Sequence, residues 1–338
     1  MIDLRSDTVT KPTKEMRLAA FEAEVGDDVY GEDPTVLKLE EEAARVLGKE
    51  KALFVTSGTQ GNQIAVLTHT RPGNEIILEE NSHIFYYESG AVAALAGVQT
   101  RTLSGIKGAM DPDAVENAIR DEDQHFPETG LICLENTHNR AGGAIVSPEN
   151  MEVIHAVARK HSIPLHVDGA RLFNASAAAG KDVKEFTRHC DTVQICLSKG
   201  LGAPVGSIIA GDSSFIQRAR KWRKRLGGGL RQAGILAAPG LVALTNMRGR
   251  LSEDHKKAAI LKEALETCEG ISIMNDVDTN IVVADVKERG NTSAEFVEIL
   301  RDKGILIGGF GPYAVRFVTH YDVSMEQVEE AAEILRSL

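Results

Sequence analysis

Two short segments hold the residues best suited to chemistry. In Leu165-His166-Val167-Asp168-Gly169-Ala170-Arg171 an apolar run stops at a carboxylate, and in Ile195-Cys196-Leu197-Ser198-Lys199-Gly200 a second run leads to an amine. Both runs have strand character. In an open α/β sheet, ligands bind just beyond the carboxyl ends of the strands. An acid and an amine placed there face the edge where reactions take place. A lysine that forms an imine, beside a buried carboxylate that keeps a pyridine nitrogen protonated, is the pairing that pyridoxal 5'-phosphate requires. The plainer alternative is a pair of solvated strand-end charges.

Other groups bear on that choice. Ser57-Gly58-Thr59 lies between a strand and a helix, where backbone N–H groups and small hydroxyls bind phosphate. The same residues also suit an ordinary capping turn. The chain has neither a Walker loop nor a G-x-G-x-x-G turn, so a cradle here fits a mononucleotide-sized cofactor better than a dinucleotide. His83 follows another strand, placed either to lie against a cofactor ring or to cap at the surface. Arg171 is three residues past Asp168, in reach of a ring hydroxyl or a substrate carboxylate. His166 shares the strand face of Asp168 and reads as a packed core histidine. Arg316, in Tyr313-Ala-Val-Arg-Phe-Val, faces either solvent or an anion that its guanidinium clamps.

Alternating strands and helices must position these groups. Strand patterns fall at 52–55, 75–78, 98–103, 131–135, up to Asp168, up to Ser198, and at 206–210. Between them lie helical patterns, among them Pro34 to Leu47 with Asp33 as cap and Gly48 as stop, 83–95, 112–121, 148–161 and 181–190. A basic helix at 215–226 and a long apolar helix at 232–246 follow. Such alternation predicts an α/β fold with a mostly parallel sheet covered on both faces. After about residue 250 the texture becomes α+β. The expected division is an irregular N-terminal arm at 1–14, a large domain at 15–249 and a small C-terminal domain at 250–338.

Composition narrows the class. The 338 residues are 43% hydrophobic and carry a net charge of −11, which argues against a surface devoted to nucleic acid or anionic membrane. Cys133, Cys190, Cys196 and Cys268 show no metal spacing and read as buried thiols of a cytoplasmic protein. The charged opening residues suggest no secretory leader, and the best apolar stretch, Ile235 to Leu244, is too short to span a bilayer. The one dense basic run, Arg218 to Arg225, is either a solvated face, a small nucleic-acid patch or an anchor reaching a neighbouring subunit's phosphate.

Eight motifs in order resemble the low-specificity L-threonine aldolases of the pyridoxal-phosphate fold type I superfamily. They are Asp3-Leu-Arg-Ser-Asp-Thr-Val-Thr, Gly26-Asp-Asp-Val-Tyr-Gly-Glu-Asp-Pro-Thr, Thr56-Ser-Gly-Thr-Gln-Gly-Asn, Asn81-Ser-His-Ile, Leu134-Glu-Asn-Thr-His-Asn, His166-Val-Asp-Gly-Ala-Arg-Leu-Phe-Asn, Leu197-Ser-Lys-Gly-Leu-Gly-Ala-Pro-Val-Gly and Arg223-Lys-Arg-Leu-Gly-Gly-Gly-Leu-Arg-Gln. The resemblance implies a seven-stranded mixed sheet in the large domain, pyridoxal phosphate as cofactor and no catalytic metal. It implies reversible retro-aldol cleavage of L-threonine and L-allo-threonine to glycine and acetaldehyde.

Its implied site has Lys199 as imine lysine, Asp168 at the ring nitrogen and His83 against the ring. Ser57, Gly58, Thr59 and Ser198 surround the cofactor, with Arg171 beside it. Ser6, Arg171 and Arg316 hold the substrate carboxylate. A homotetramer with shared sites is implied, in which Tyr30, Tyr87, His125, Lys224 and Arg231 come from a neighbouring subunit. The base stays open among His83, His125 and a water that they order. Rival readings are another lyase on β-hydroxy amino acids with the same cofactor, including β-elimination and phenylserine- or serine-type aldol cleavage, racemisation or transamination, a nucleic-acid-binding regulator, and a nicotinamide enzyme.

Overall fold

Seven strands form the main sheet of the computed structural model, which describes residues 1–338. They are β1 (Lys51–Val55), β2 (Glu75–Glu79), β3 (Gln99–Leu103), β4 (Thr129–Glu135), β5 (Leu165–Asp168), β6 (Thr192–Cys196) and β7 (Ser207–Gly211). Their spatial order is β1-β7-β6-β5-β4-β2-β3. All run parallel except β7, which is antiparallel to both its neighbours. Helices return the chain between the parallel strands, and both faces are covered.

The strand alternation sorts side chains into separate layers. Ile77, Ile132, Leu134, Leu165, Val167, Val193 and Ile195 enter the largest apolar cluster. Ile76, Leu78, Leu131 and Cys133 point the other way into a second one. On that second face, β5 and β6 carry buried His166, Asp168, Thr192 and Gln194 instead of hydrocarbon. A polar seam therefore crosses the middle of the sheet beneath the helix Gly58–His69.

The helix Pro34–Leu47 begins where expected. Asp33 accepts from the N–H groups of Thr35 and Val36, Pro34 occupies the first turn, and Gly48 closes it at φ +61°. Three helical expectations need correction. The stretch 83–95 is no continuous helix: a turn at His83–Tyr86 ends, and Ser89 and Gly90 adopt φ of +55° and +69° before a wider π-type turn at Val92–Ala96. The stretch 181–190 is helical only at Lys184–Thr187, while an unforeseen helix, Leu172–Ala179, follows β5 directly. The helix expected over 232–246 is α-helical at Gly234–Val242, around Pro239, and widens to a π-type turn at Ala243–Met247. Proline removes one donor from the ladder, and such wider turns absorb irregularities of this kind.

Beyond the main sheet, strands Ser272–Ile273, Ile281–Asp285, Ala314–Val318 and Gly308–Gly309 pair antiparallel in that order. Helices Ser293–Asp302 and Met325–Arg336, each opened by a capping box, pack with them around a separate apolar cluster. The first residues are not irregular throughout. Ile2–Asp3 pairs in parallel with Ile305–Leu306, and Ile2 and Leu4 are buried in that cluster. A two-residue ladder holds little by itself; burying the two side chains contributes roughly 1.5–3 kcal/mol each. No helix is long and apolar enough to cross a membrane.

Candidate active site

The carboxyl ends of the central strands align. Register sets Glu135 opposite Asp168 and Asp168 opposite Gln194, so three polar side chains stand in a row on one face. The helix Gly58–His69 lies over that row, and a cleft of about 140 Å³ opens at its N-terminus. Ser57, Gly58, Thr59, His83, Asp168, Ser198 and Lys199, all expected from the sequence, line this cleft.

Helix and strands come together tightly here. The Ser57 hydroxyl accepts from the Gln60 N–H at 3.1 Å and caps the helix, so the capping role and the cradle role share one residue. A Cβ on Gly58 would stand 2.9 Å from Cys196 Sγ and 3.2 Å from Gln194 Nε2. Only glycine lets the helix start this close to β6. The N-terminal arm crosses the same region: Thr8 lines the cleft, and the Thr10 hydroxyl donates to the Lys199 carbonyl at 3.0 Å.

Asp168 is 2% exposed and held on both oxygens. Its Oδ1 accepts from the Ala170 N–H at 3.1 Å, and its Oδ2 accepts from Asn62 Nδ2 at 2.8 Å. Asn62 Oδ1 lies 3.2 Å from His166 Nε2, and His166 Nδ1 lies 3.0 Å from the Thr192 hydroxyl. Burial, reinforced by neighbouring His69, pushes the His166 pKa down to about 3, so this ring is neutral. The network assigns its proton to Nε2, donating to Asn62, with Nδ1 accepting from Thr192. His166 is the core histidine that the sequence suggested.

His83 sits at the start of its helical turn with Nδ1 3.0 Å from Glu88 Oε1, and its backbone N–H donates to Glu135. Burial disfavours the charged imidazole. The Glu88 hydrogen bond and the Asp168 charge outweigh it, and the pKa rises above its ordinary 6.5. Burial also pushes the Glu135 carboxyl up, against the nearby His138.

The arginines have partners. Arg171 is buried and takes both oxygens of buried Asp7, Nε at 2.8 Å and Nη2 at 2.7 Å. Burial opposes the Asp7 charge, but Arg171, with Lys199 beyond it, holds the Asp7 pKa down at about 2. Asn139 Oδ1 accepts from Arg171 Nη1 at 3.4 Å and from Arg316 Nη1 at 3.0 Å. Arg316 Nε is buried without a partner. Ser6 caps the turn Asp7–Val9, which sets the arm beside this pair.

Other expected residues stand elsewhere. Tyr87 lies beside His83 within its own chain: four residues on, its ring centroid is 5.5 Å from the imidazole. Its hydroxyl accepts from Arg140 at 3.0 Å, at the edge of a second cleft of about 370 Å³. Tyr30, His125, Lys224 and Arg231 are exposed and absent from the lining of the Lys199 cleft. His125 Nδ1 is 2.7 Å from Asp123, and Arg231 is 3.0 Å from Asp27. In the basic run, Arg223 is buried against Asp28 and Arg220 pairs with Glu40, so part of that charge is neutralised within the chain.

Sequence reasoning passed over Asp7, Asn62, Glu88, Glu135, Asn139 and Gln194. Two had a visible signal. Glu135 ends β4 as Asp168 ends β5, and Gln194 interrupts the apolar pattern Val193, Ile195 on the face of Cys196.

The residues fit pyridoxal phosphate. A buried carboxylate, a lysine and a helix N-terminus open on one cleft, and the buried Gln194 Oε1 in its lining lacks a partner. The fold is that of the pyridoxal-phosphate fold type I class, and the cleft suits that cofactor. The profile of the beta-eliminating lyase family matches residues 3–289. Low-specificity L-threonine aldolase 1 of Arabidopsis thaliana is 47% identical, covering 97% of this chain and 93% of its own. The low specificity L-threonine aldolase of Escherichia coli K12 is 45% identical, covering 98% and 97%. A solved structure of Leishmania major threonine aldolase superposes with a TM-score of 0.86 at 23% identity, covering 100% of this chain and 99% of that one. The chain belongs to the beta-eliminating lyase family and, within it, to the low-specificity L-threonine aldolases.

Proposed function

We propose that this chain cleaves L-threonine and L-allo-threonine reversibly to glycine and acetaldehyde. The observation that carries the reading is the single cleft shared by Lys199, Asp168 and His83, in a chain 45–48% identical to enzymes named for threonine aldol cleavage. When bound, pyridoxal phosphate supplies an electron sink for the pair released as the Cα–Cβ bond breaks. Lys199 would hold the cofactor, Asp168 would keep a proton at its ring nitrogen, and His83 would lie against its face. Ser57, Gly58, Thr59 and Ser198 would hold its phosphate end. Ser6, Arg171 and Arg316 would take the substrate carboxylate, with Asp7 already bound to one side of Arg171.

With the carboxylate fixed, the β-hydroxyl is presented to a base. His83 is favoured over His125, which is exposed and occupied by Asp123. His83 Nε2 accepts the hydroxyl proton, the O–H pair becomes the second C–O bond of acetaldehyde, and the proton is returned to Cα to give glycine.

We read residues 1–14 as an arm, 15–249 as the large domain and 250–338 as the small one; the split near 250 is supported by the separate apolar clusters, the second of which also takes Ile2 and Leu4 from the arm. The helix Leu251–Glu266 carries a member of each cluster, Leu251 and Ala258. We further read the protein as a cytoplasmic homotetramer. Four buried free cysteines support a reducing compartment. Exposed Tyr30, His125, Lys224 and Arg231 support shared sites.

β-Elimination is the second reading, favoured by the family's description. Purified protein given pyridoxal phosphate and L-threonine should yield equal amounts of glycine and acetaldehyde. Lys199→Ala should lose the yellow colour and at least ~10³-fold in rate. Release of ammonia and 2-oxobutanoate instead would establish elimination.

A further inference from the structure

We propose that Glu88 is a positioning residue that fixes the proton of His83 on Nδ1 and thereby turns Nε2 toward the substrate as a proton acceptor. The proposal rests on His83 being the base. Glu88 has no exposed side-chain surface, yet its carboxylate is fully engaged. Oε1 lies 3.0 Å from His83 Nδ1 and accepts from Asn62 Nδ2 at 2.8 Å, and Oε2 accepts from Gln63 Nε2 at 2.6 Å. A carboxylate beside two amide donors can only accept, so the imidazole nitrogen facing it must donate. That leaves Nε2 as the basic atom.

The orientation of Asn62 is not free either. Its oxygen is tied to the protonated Nε2 of neutral His166, so its two N–H groups must point at the carboxylates, one at Glu88 and one at Asp168. One amide thus connects the acid expected to hold the ring-nitrogen proton with the acid that orients the base. The break in the chain explains how Glu88 gets there. Helix continuation past Tyr86 stops, Ser89 and Gly90 turn through positive φ, and Glu88 points inward beneath the helix Gly58–His69. Charged or titratable groups facing His83 are Glu88, Asp168 and Lys199, with Glu135 at its backbone and Tyr87 beside its ring. Among them Glu88 alone hydrogen-bonds the imidazole.

The test follows the protonation midpoint of His83 in the full chain stripped of cofactor. The pH dependence of its carbethoxylation by diethyl pyrocarbonate is read by peptide mass spectrometry. In Glu88→Gln the midpoint should fall by roughly one pH unit, a tenfold change in proton affinity. The acidic limb of kcat in the loaded enzyme should shift by the same amount. Glu88→Asp keeps the charge but withdraws it from Nδ1, and should move the midpoint less than Glu88→Gln. An unchanged His83 midpoint in whichever variant folds would overturn the proposal. Absence of acetaldehyde from the unaltered enzyme would instead remove the aldolase reading, leaving the midpoint measurement to judge Glu88.

Discussion

Asp7 shows how a single buried charge serves both stability and the site. Its pair with Arg171 places a negative charge beside a guanidinium that would otherwise face Arg316, whose pKa is lowered by burial and by Arg171 itself. Removing one partner of a buried pair leaves the other uncompensated. Asp7→Asn is expected to lose about 3 kcal/mol in urea unfolding at neutral pH. The Asp7 pKa is lowered from its ordinary 3.8 to about 2, so the carboxylate's contribution is complete above about 4 and is lost as pH falls through about 2. The gap between the two proteins should narrow across that window. A constant gap would show that the ion pair contributes little.

The polar seam on β5 and β6 has its own acid sensitivity. His166 is neutral in the fold with its pKa at about 3, against an ordinary 6.5. Below about pH 6.5 the unfolded chain takes up a proton that the folded chain does not, so stability falls as pH drops toward 3. Between pH 7 and pH 5 the loss from this one side chain is ~2 kcal/mol. It should be visible as a lower urea midpoint, and reduced in His166→Gln, whose amide keeps a donor for Asn62. The strands β4 and β5 were legible because their apolar runs end abruptly in a carboxylate, and β6 because its run leads on to Lys199. The turn His83–Tyr86 was not. Apolar residues continue at helical spacing through Leu95, and the pattern holds no sign that Glu88 is drawn inward by Asn62 and Gln63.

At the level of the assembly, the exposed residue Arg231 makes a definite forecast. If Arg231 completes a neighbour's site, mixing Lys199→Ala with Arg231→Ala subunits creates hybrids in which one site has both native residues. Random pairing in dimers should then restore about a quarter of wild-type activity. No restoration would place Arg231 in the service of its own chain, where Asp27 now holds it.

Apolar periodicity was enough to specify the α/β class and to put Asp168 and Lys199 past the ends of strands, where they line one cleft, and the ordered motifs carried the resemblance that implied the cofactor and the family. Periodicity and motif alike are carried by short stretches of chain, which is why both could be read locally. The partners of each site residue were decided only by folding. Asp7 lies 164 residues from Arg171, and Asn62 lies 106 from Asp168. An acceptor so distant leaves no periodic trace in the sequence, and only the sheet register and the helix laid across it bring the two within hydrogen-bonding reach.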